Sequence, residues 1–132
     1  MPYEMLIRGE VASGKGEGRL YIVKDEYAEQ FHKVFGFIPF PGTLNLLVIE
    51  KDYEKFQILK EKKGIEIAGF KKNGEKFGEV KCFNCILNGM VKAVVVMPEK
   101  SQHDNVMEII SNKSLRDEFS LNDGDVIDVF IE

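Results

Sequence analysis

The chain has 132 residues, 44% of them hydrophobic and 30% charged, with a formal net charge of −4. That length suits one domain with a modest core, expected to cover residues 1–132. The acidic balance and the lack of a basic tract count against general nucleic-acid affinity. No apolar run reaches the length of a membrane span and the N-terminus has no signal-peptide core, so a cytoplasmic location is expected.

The first element expected is a strand over Met5–Ser13, and a second runs over Arg19–Val23. Between them Gly14, Gly16 and Gly18 alternate with Lys15, Glu17 and Arg19. A backbone without Cβ atoms can curl its N–H groups around one anion, and the two cations can neutralise it. The segment reads as a phosphate-holding loop or as a plain flexible hairpin turn. Gly9–Gly16 approaches the G-x-x-x-x-G-K-[ST] pattern, but Gly16 lacks the hydroxyl that holds Mg²⁺ and a strand follows where a helix is required. A P-loop NTPase is therefore rejected, while a phosphate ligand is retained.

Asp25 suits a helix cap; Tyr27, Phe31, Val34 and Phe35 then form one apolar helical face, and Gly36 ends it. The Pro-containing connection 37–42 leads into a strand over Thr43–Ile49. There Thr43 and Asn45 share a face, opposite Leu44 and Leu46. A hydroxyl beside an amide oxygen can ligate a hard cation that takes its other ligands from water and phosphates; a solvent-facing polar pair is the alternative. Tyr53–Leu59 reads as a short helix, and Lys60–Lys63 as a solvated face or loop.

In the second half, Asn73-Gly74 is expected to join strands Ile65–Phe70 and Phe77–Leu87, and Asn88-Gly89 to join the latter to Val91–Met97. Cys82 and Cys85 form a CxxC pair with no further ligands at metal spacing, and a strand sends them to opposite faces, so they read as structural. Val106–Ile110 is a further strand, Leu115–Phe119 a helical turn, and Asp125–Ile131 a last strand with Val126, Ile127, Val129 and Ile131 as core candidates. Many short strands with turn signals and one clear helix indicate a mainly β, closed, largely antiparallel barrel.

Taken together, GEVASGKGEGR, FGFIPFPGTLNL and the 103–116 region, ending in Leu121-Asn122-Asp123-Gly124-Asp125-Val126, resemble the archaeal CTP-dependent riboflavin kinases over almost the whole chain. The resemblance implies a six-stranded cradle-loop barrel with one clear helix and short helical turns, and a Mg²⁺-assisted transfer of the γ-phosphoryl of CTP to riboflavin, giving FMN and CDP. Some members carry an N-terminal winged-helix domain, and none is expected here. Carried over by position, Gly14, Lys15, Gly16, Glu17, Gly18 and Arg19 match the nucleotide-binding loop. Lys113, Ser114, Leu115, Arg116, Asp117 and Glu118 match a second nucleotide-binding segment. Thr43 and Asn45 match the Mg²⁺ pair, and Ser101 and Glu108 the flavin contacts. Ser101 stands where the family has Thr, and Ser111-Asn112 where it has Ala-Pro.

Phosphoryl transfer needs charge neutralisation and in-line positioning, which Lys15, Arg19, Lys113 and Arg116 suit. Glu108 is the candidate base or flavin-orienting group, and His103 reads as structural. Phe31 and Phe35 belong to the core by spacing, whereas Phe37 and Phe40 are candidates for contact with the flavin ring. Small-molecule substrates are expected, with no nucleic acid or membrane partner and a monomer favoured. Two other readings stay open: a swapped-hairpin-type barrel that regulates by binding DNA, and a passive flavin or nucleotide carrier.

Overall fold

The computed structural model describes residues 4–13, 25–98 and 105–132. In chain order the strands are β1 (Met5–Ala12), β2 (Leu44–Val48), β3 (Ile65–Ile67), β4 (Phe70–Lys72), β5 (Glu75–Phe77), β6 (Val80–Leu87), β7 (Val91–Pro98), β8 (Val106–Ile110) and β9 (Val126–Ile131). The helices are α1 (Asp25–Phe35), α2 (Tyr53–Glu61, preceded by a 3₁₀ turn over Glu50–Asp52) and α3 (Leu115–Phe119). Antiparallel pairing runs β6-β7-β8-β2-β1-β9, and β9 returns to β6 through Cys85↔Ile131, Ile86↔Phe130 and Leu87↔Val129. The result is the expected closed six-stranded barrel, with β3 as an extra strand on β6. No described helix is long and apolar enough to cross a membrane.

Strand alternation builds two cores. Leu44, Leu46, Val48, Val95, Met107, Ile109, Ile127 and Val129 point into the barrel. Phe56 and Leu59 of α2 and Leu115 of α3 join the same cluster. The two helices sit toward different ends of β1: Lys62 of the turn after α2 pairs with Glu4 at 2.9 Å, while Arg116 of α3 reaches Ser13 at 2.9 Å. The second core lies outside the barrel wall, where Tyr27 and Phe31 of α1 cover Cys82, Val94, Val96 and Ile110 together with Ile67 and Phe77. Because β6 is apolar on both faces, Cys82 falls in the outer core and Cys85 in the inner one, the opposite placement expected from their spacing. Burial pushes the Cys82 thiol up to about 12 and raises that of Cys85 as well, so neither supplies a thiolate at neutral pH.

Expectations of strand continuity and of burial are corrected at two places each. Ile65–Phe70 and Phe77–Leu87 are not continuous strands; each breaks, and Asn73-Gly74 closes only the small β4–β5 hairpin. Tertiary contacts make the breaks. The Gln30 amide of α1 donates to the Ala68 carbonyl at 2.9 Å and accepts from its N–H at 2.8 Å, replacing a strand partner. The Tyr27 hydroxyl donates to the Gly78 carbonyl at 2.6 Å. Phe70 and Phe77 then stack 4.8 Å apart, with Tyr27 edge-on to Phe70. Val126 and Val34 are exposed instead of buried, because neither faces a cluster. The strand expected over Arg19–Val23 lies outside the described residues.

Where β2 ends, Asp52 takes over its hydrogen-bonding role toward β1. Its buried carboxylate accepts from the Arg8 backbone N–H at 2.8 Å and from Arg8 Nε at 3.2 Å, with Lys55 Nζ 3.7 Å away. Burial raises its pKa, but the Arg8 hydrogen bonds and the Arg8 and Lys55 charges outweigh that and hold it below 3.8. Asp52→Ala leaves the Arg8 N–H without this acceptor and should cost about 1–3 kcal/mol at pH 7, read from urea unfolding. The carboxylate's contribution is full above its unfolded pKa and is lost as pH falls through the lower folded value. The wild-type advantage should therefore shrink below about pH 4. At Gly69 an added Cβ would collide with the Phe77 carbonyl oxygen and stand 3.0 Å from the Gly78 carbonyl carbon. Gly69→Ala should lower stability by about 1–3 kcal/mol in the same assay.

Candidate active site

The barrel's alternation decides which polar side chains reach its outer wall. With Leu44, Leu46, Met107 and Ile109 turned inward, Asn45 and Glu108 must turn outward. The β2–β8 register sets them directly opposite one another. Just before β2, Gly42 adopts φ +129°, a value that L side chains rarely tolerate, and carries the chain to Thr43. The Thr43 hydroxyl lies 3.2 Å from Asn45 Oδ1 and 3.4 Å from Glu108 Oε1. Asn45 and Glu108 are both buried. Three oxygen-bearing side chains thus meet at one point: a hydroxyl, an amide and a carboxylate, the donor set a hard divalent cation prefers.

Two cavities each border one member of this cluster. One, of about 390 Å³, is lined by Phe56, Gln57 and Lys60 of α2, by Val96 and Met97 of β7, and by Glu108. The other, of about 140 Å³, is lined by Phe40, Thr43, Ser111, Lys113, Ser114 and Arg116. Glu108 lines the first and Thr43 the second, and these two side chains lie 3.4 Å apart. Phe37 and Phe40 do not line the larger cavity; Phe40 lines the smaller one, while Phe35 and Phe37 flank a separate open groove of about 590 Å³ with Met90 and Lys113.

The second expected nucleotide segment forms the start of α3. Ser114 caps it by accepting from the Asp117 N–H at 3.4 Å, Lys113 pairs with Glu118 at 3.4 Å, and Leu115 is buried in the inner core. Lys113, Ser114 and Arg116 border the smaller cavity; Asp117 and Glu118 are exposed and do not line it. Arg116 Nη2 donates to Asp123 Oδ1 at 2.7 Å and to Ser13 Oγ at 2.9 Å. Hydrogen bonds from Arg116 and then Ser13 hold the Asp123 carboxyl below its ordinary value. Gly14, Lys15, Gly16, Glu17, Gly18 and Arg19, together with Ser101 and His103, lie outside the described residues. Their described neighbours are anchored: Ala12 pairs with Asn45, and the Asn105 carbonyl accepts from the Val48 N–H at 2.8 Å while its side chain accepts from Gln57 Nε2 at 3.2 Å.

Ser13, Gln57, Asn105 and Asp123 were not singled out by the sequence reading. Ser13 stands in the glycine-rich stretch and Asp123 in the 121–126 turn, neither with a role of its own, and no spacing rule links residues 110 positions apart. Among the described residues no group of three or more His, Cys, Asp or Glu could hold a metal, so any cation here would rest on the mixed oxygen set.

Fold and site together define a closed β-barrel whose outer wall carries an oxygen-lined centre between two small cavities. Residues 11–131 match the family model CTP-dep_RFKase, described as "Domain of unknown function DUF120". Curated relatives named riboflavin kinase include one from Archaeoglobus fulgidus, 42% identical over 123 residues, covering 93% of this chain and 53% of the relative. Another, from Thermoplasma acidophilum, is 40% identical over 125 residues, covering 95% and 56%. A third, from Ignicoccus hospitalis, is 40% identical over 126 residues, covering 95% and 70%. The chain spans about half the length of the first two. It belongs to the CTP-dependent riboflavin kinase family.

Proposed function

We propose that this barrel is a riboflavin kinase that moves the γ-phosphoryl group of CTP to the ribityl 5′-hydroxyl of riboflavin, releasing FMN and CDP. The observation that carries this reading is the position of Glu108 and Thr43, 3.4 Å apart, one on each of two neighbouring cavities. A transfer reaction needs donor and acceptor sites that touch at the reacting atoms and are otherwise separate. The larger cavity has room for a flavin ring; Met97, Pro98 and Val106 give it an apolar side, while Lys60, Glu66, Glu79 and Lys81 make the rest of its lining polar. The smaller, bordered by Lys113 and Arg116, suits the phosphates of a nucleotide.

In this reading Glu108 sits at the acceptor and either takes the 5′-hydroxyl proton or orients that hydroxyl. Thr43 and Asn45 would hold Mg²⁺, which neutralises phosphate charge when bound. Lys113 and Arg116, with Lys15 and Arg19, hold the triphosphate and the charge that shifts during transfer. Gly14, Gly16 and Gly18 contribute backbone N–H groups to the same phosphates, and Ser101 joins Glu108 at the flavin. The choice of CTP rests on the family; the cavities described favour no base.

The test is FMN formation from riboflavin and Mg²⁺ with CTP, UTP, GTP or ATP supplied in parallel. FMN from CTP is expected, with kcat reduced about 100-fold or more in Asn45→Ala and in Glu108→Gln. FMN made best with ATP would keep the transfer and remove the CTP assignment. Riboflavin binding without FMN from any donor would overturn the reading in favour of a carrier.

A further inference from the structure

The hydrogen bonds among Ser13, Arg116 and Asp123 have no evident purpose in stability. Arg116 and Asp123 have side chains 38% and 59% exposed, and an ion pair in that setting adds little to folding. Yet the arrangement is closed on every side. Ser13 Oγ accepts from Arg116 Nη2 and donates to both Asp123 oxygens, at 2.8 and 3.0 Å. The turn carrying Asp123 is fixed by backbone bonds to the end of β1: the Gly124 N–H donates to the Val11 carbonyl and the Val11 N–H to the Asp125 carbonyl, each at 2.8 Å. The Asn122 N–H donates to Asp125 Oδ2 at 2.8 Å, and the Leu121 N–H donates back to the Arg116 carbonyl at 2.8 Å. Asp123 is thus the fixed point, and the long Arg116 side chain is what it restrains.

We propose that Asp123 is a positioning residue that, with Ser13, holds the Arg116 guanidinium between α3 and the end of β1, oriented to receive a nucleotide phosphate. This rests on the reading of the smaller cavity as the nucleotide site. Among the described residues the guanidinium hydrogen bonds run through Nη2 alone, so the Nε–H and the two Nη1–H groups remain to donate single hydrogen bonds to phosphate oxygens. Two effects of the carboxylate oppose each other. It reduces the net positive charge near the phosphate, but at so exposed a site water screens that repulsion. It also removes rotamer freedom that a free arginine would lose on binding, and screening does not weaken this gain. The ordering effect wins.

The experiment measures steady-state kinetics of FMN formation, CTP binding by calorimetry and the urea midpoint for wild type, Arg116→Ala, Asp123→Ala, Asp123→Asn and Ser13→Ala. Asp123→Ala is expected to raise the KM for CTP about tenfold, with the KM for riboflavin within about twofold and the urea midpoint unchanged. Asp123→Asn, which keeps an acceptor in place, should show a smaller rise and serves if the alanine variant fails to fold. Ser13→Ala should raise the same KM, and the double variant should be less than additive. An unchanged or lowered CTP KM in both Asp123 variants, with Arg116→Ala raising it, would overturn the positioning role and leave the nucleotide site standing. A wild-type protein that neither binds CTP nor forms FMN would overturn both.

Discussion

Pairing of β2 with β8 in one register is the constraint on which the rest of this molecule depends. Along each strand side chains alternate between the two faces, so the choice of which face enters the barrel also decides what stands outside. With Leu44, Leu46, Met107 and Ile109 inside, Asn45 and Glu108 are delivered to the same spot on the outer wall. A one-residue slip would carry the Glu108 carboxylate into the apolar interior and Met107 into the site, at a cost no nearby group offsets. Burial of the core therefore aligns the site, and the same hydrophobic free energy that closes the barrel holds three oxygens within hydrogen-bonding range.

Closure works in the same way at a distance. The return of β9 to β6 leaves no free edge among the six barrel strands and fixes the turn at 122–125 against the end of β1. That turn brings Asp123 to Ser13 and to Arg116 of α3. Two cores, one inside the wall and one outside it under α1, make β6 a strand buried on both faces, which is why its two cysteines serve packing and not chemistry.

Much of this was legible in the chain. Asn88-Gly89, at φ 50° and 70°, closes the β6–β7 hairpin where a pair tolerant of positive φ was expected, and the helix before Gly36 ends where glycine permits it. These are local signals, set by residues a few positions apart. The breaks near Gly69 and Gly78 were not legible, because they depend on Gln30 and Tyr27 of α1 reaching back across the sheet. At the site, Thr43 and Asn45 were readable as a same-face pair, and Glu108 came only through family resemblance. Their meeting point required the strand register, which no single segment encodes. Phe37 and Phe40 look like flavin contacts in a linear reading; neither lines the cavity beside Glu108, and Phe40 lines the smaller one beside Thr43. Ser13 and Asp123 were invisible for the same reason as the register: their partnership exists only after the barrel closes.

The central claim is that donor and acceptor meet at the contact between Thr43 and Glu108. A crystal structure of the protein with riboflavin, Mg²⁺ and a non-transferable CTP analogue tests it most directly. The account requires the ribityl 5′-hydroxyl about 3 Å from Glu108, the triphosphate between Thr43 and Arg116, and the flavin ring in the cavity beside Phe56. A flavin lodged in the groove of Phe35 and Phe37, with Glu108 remote from the hydroxyl, would contradict it.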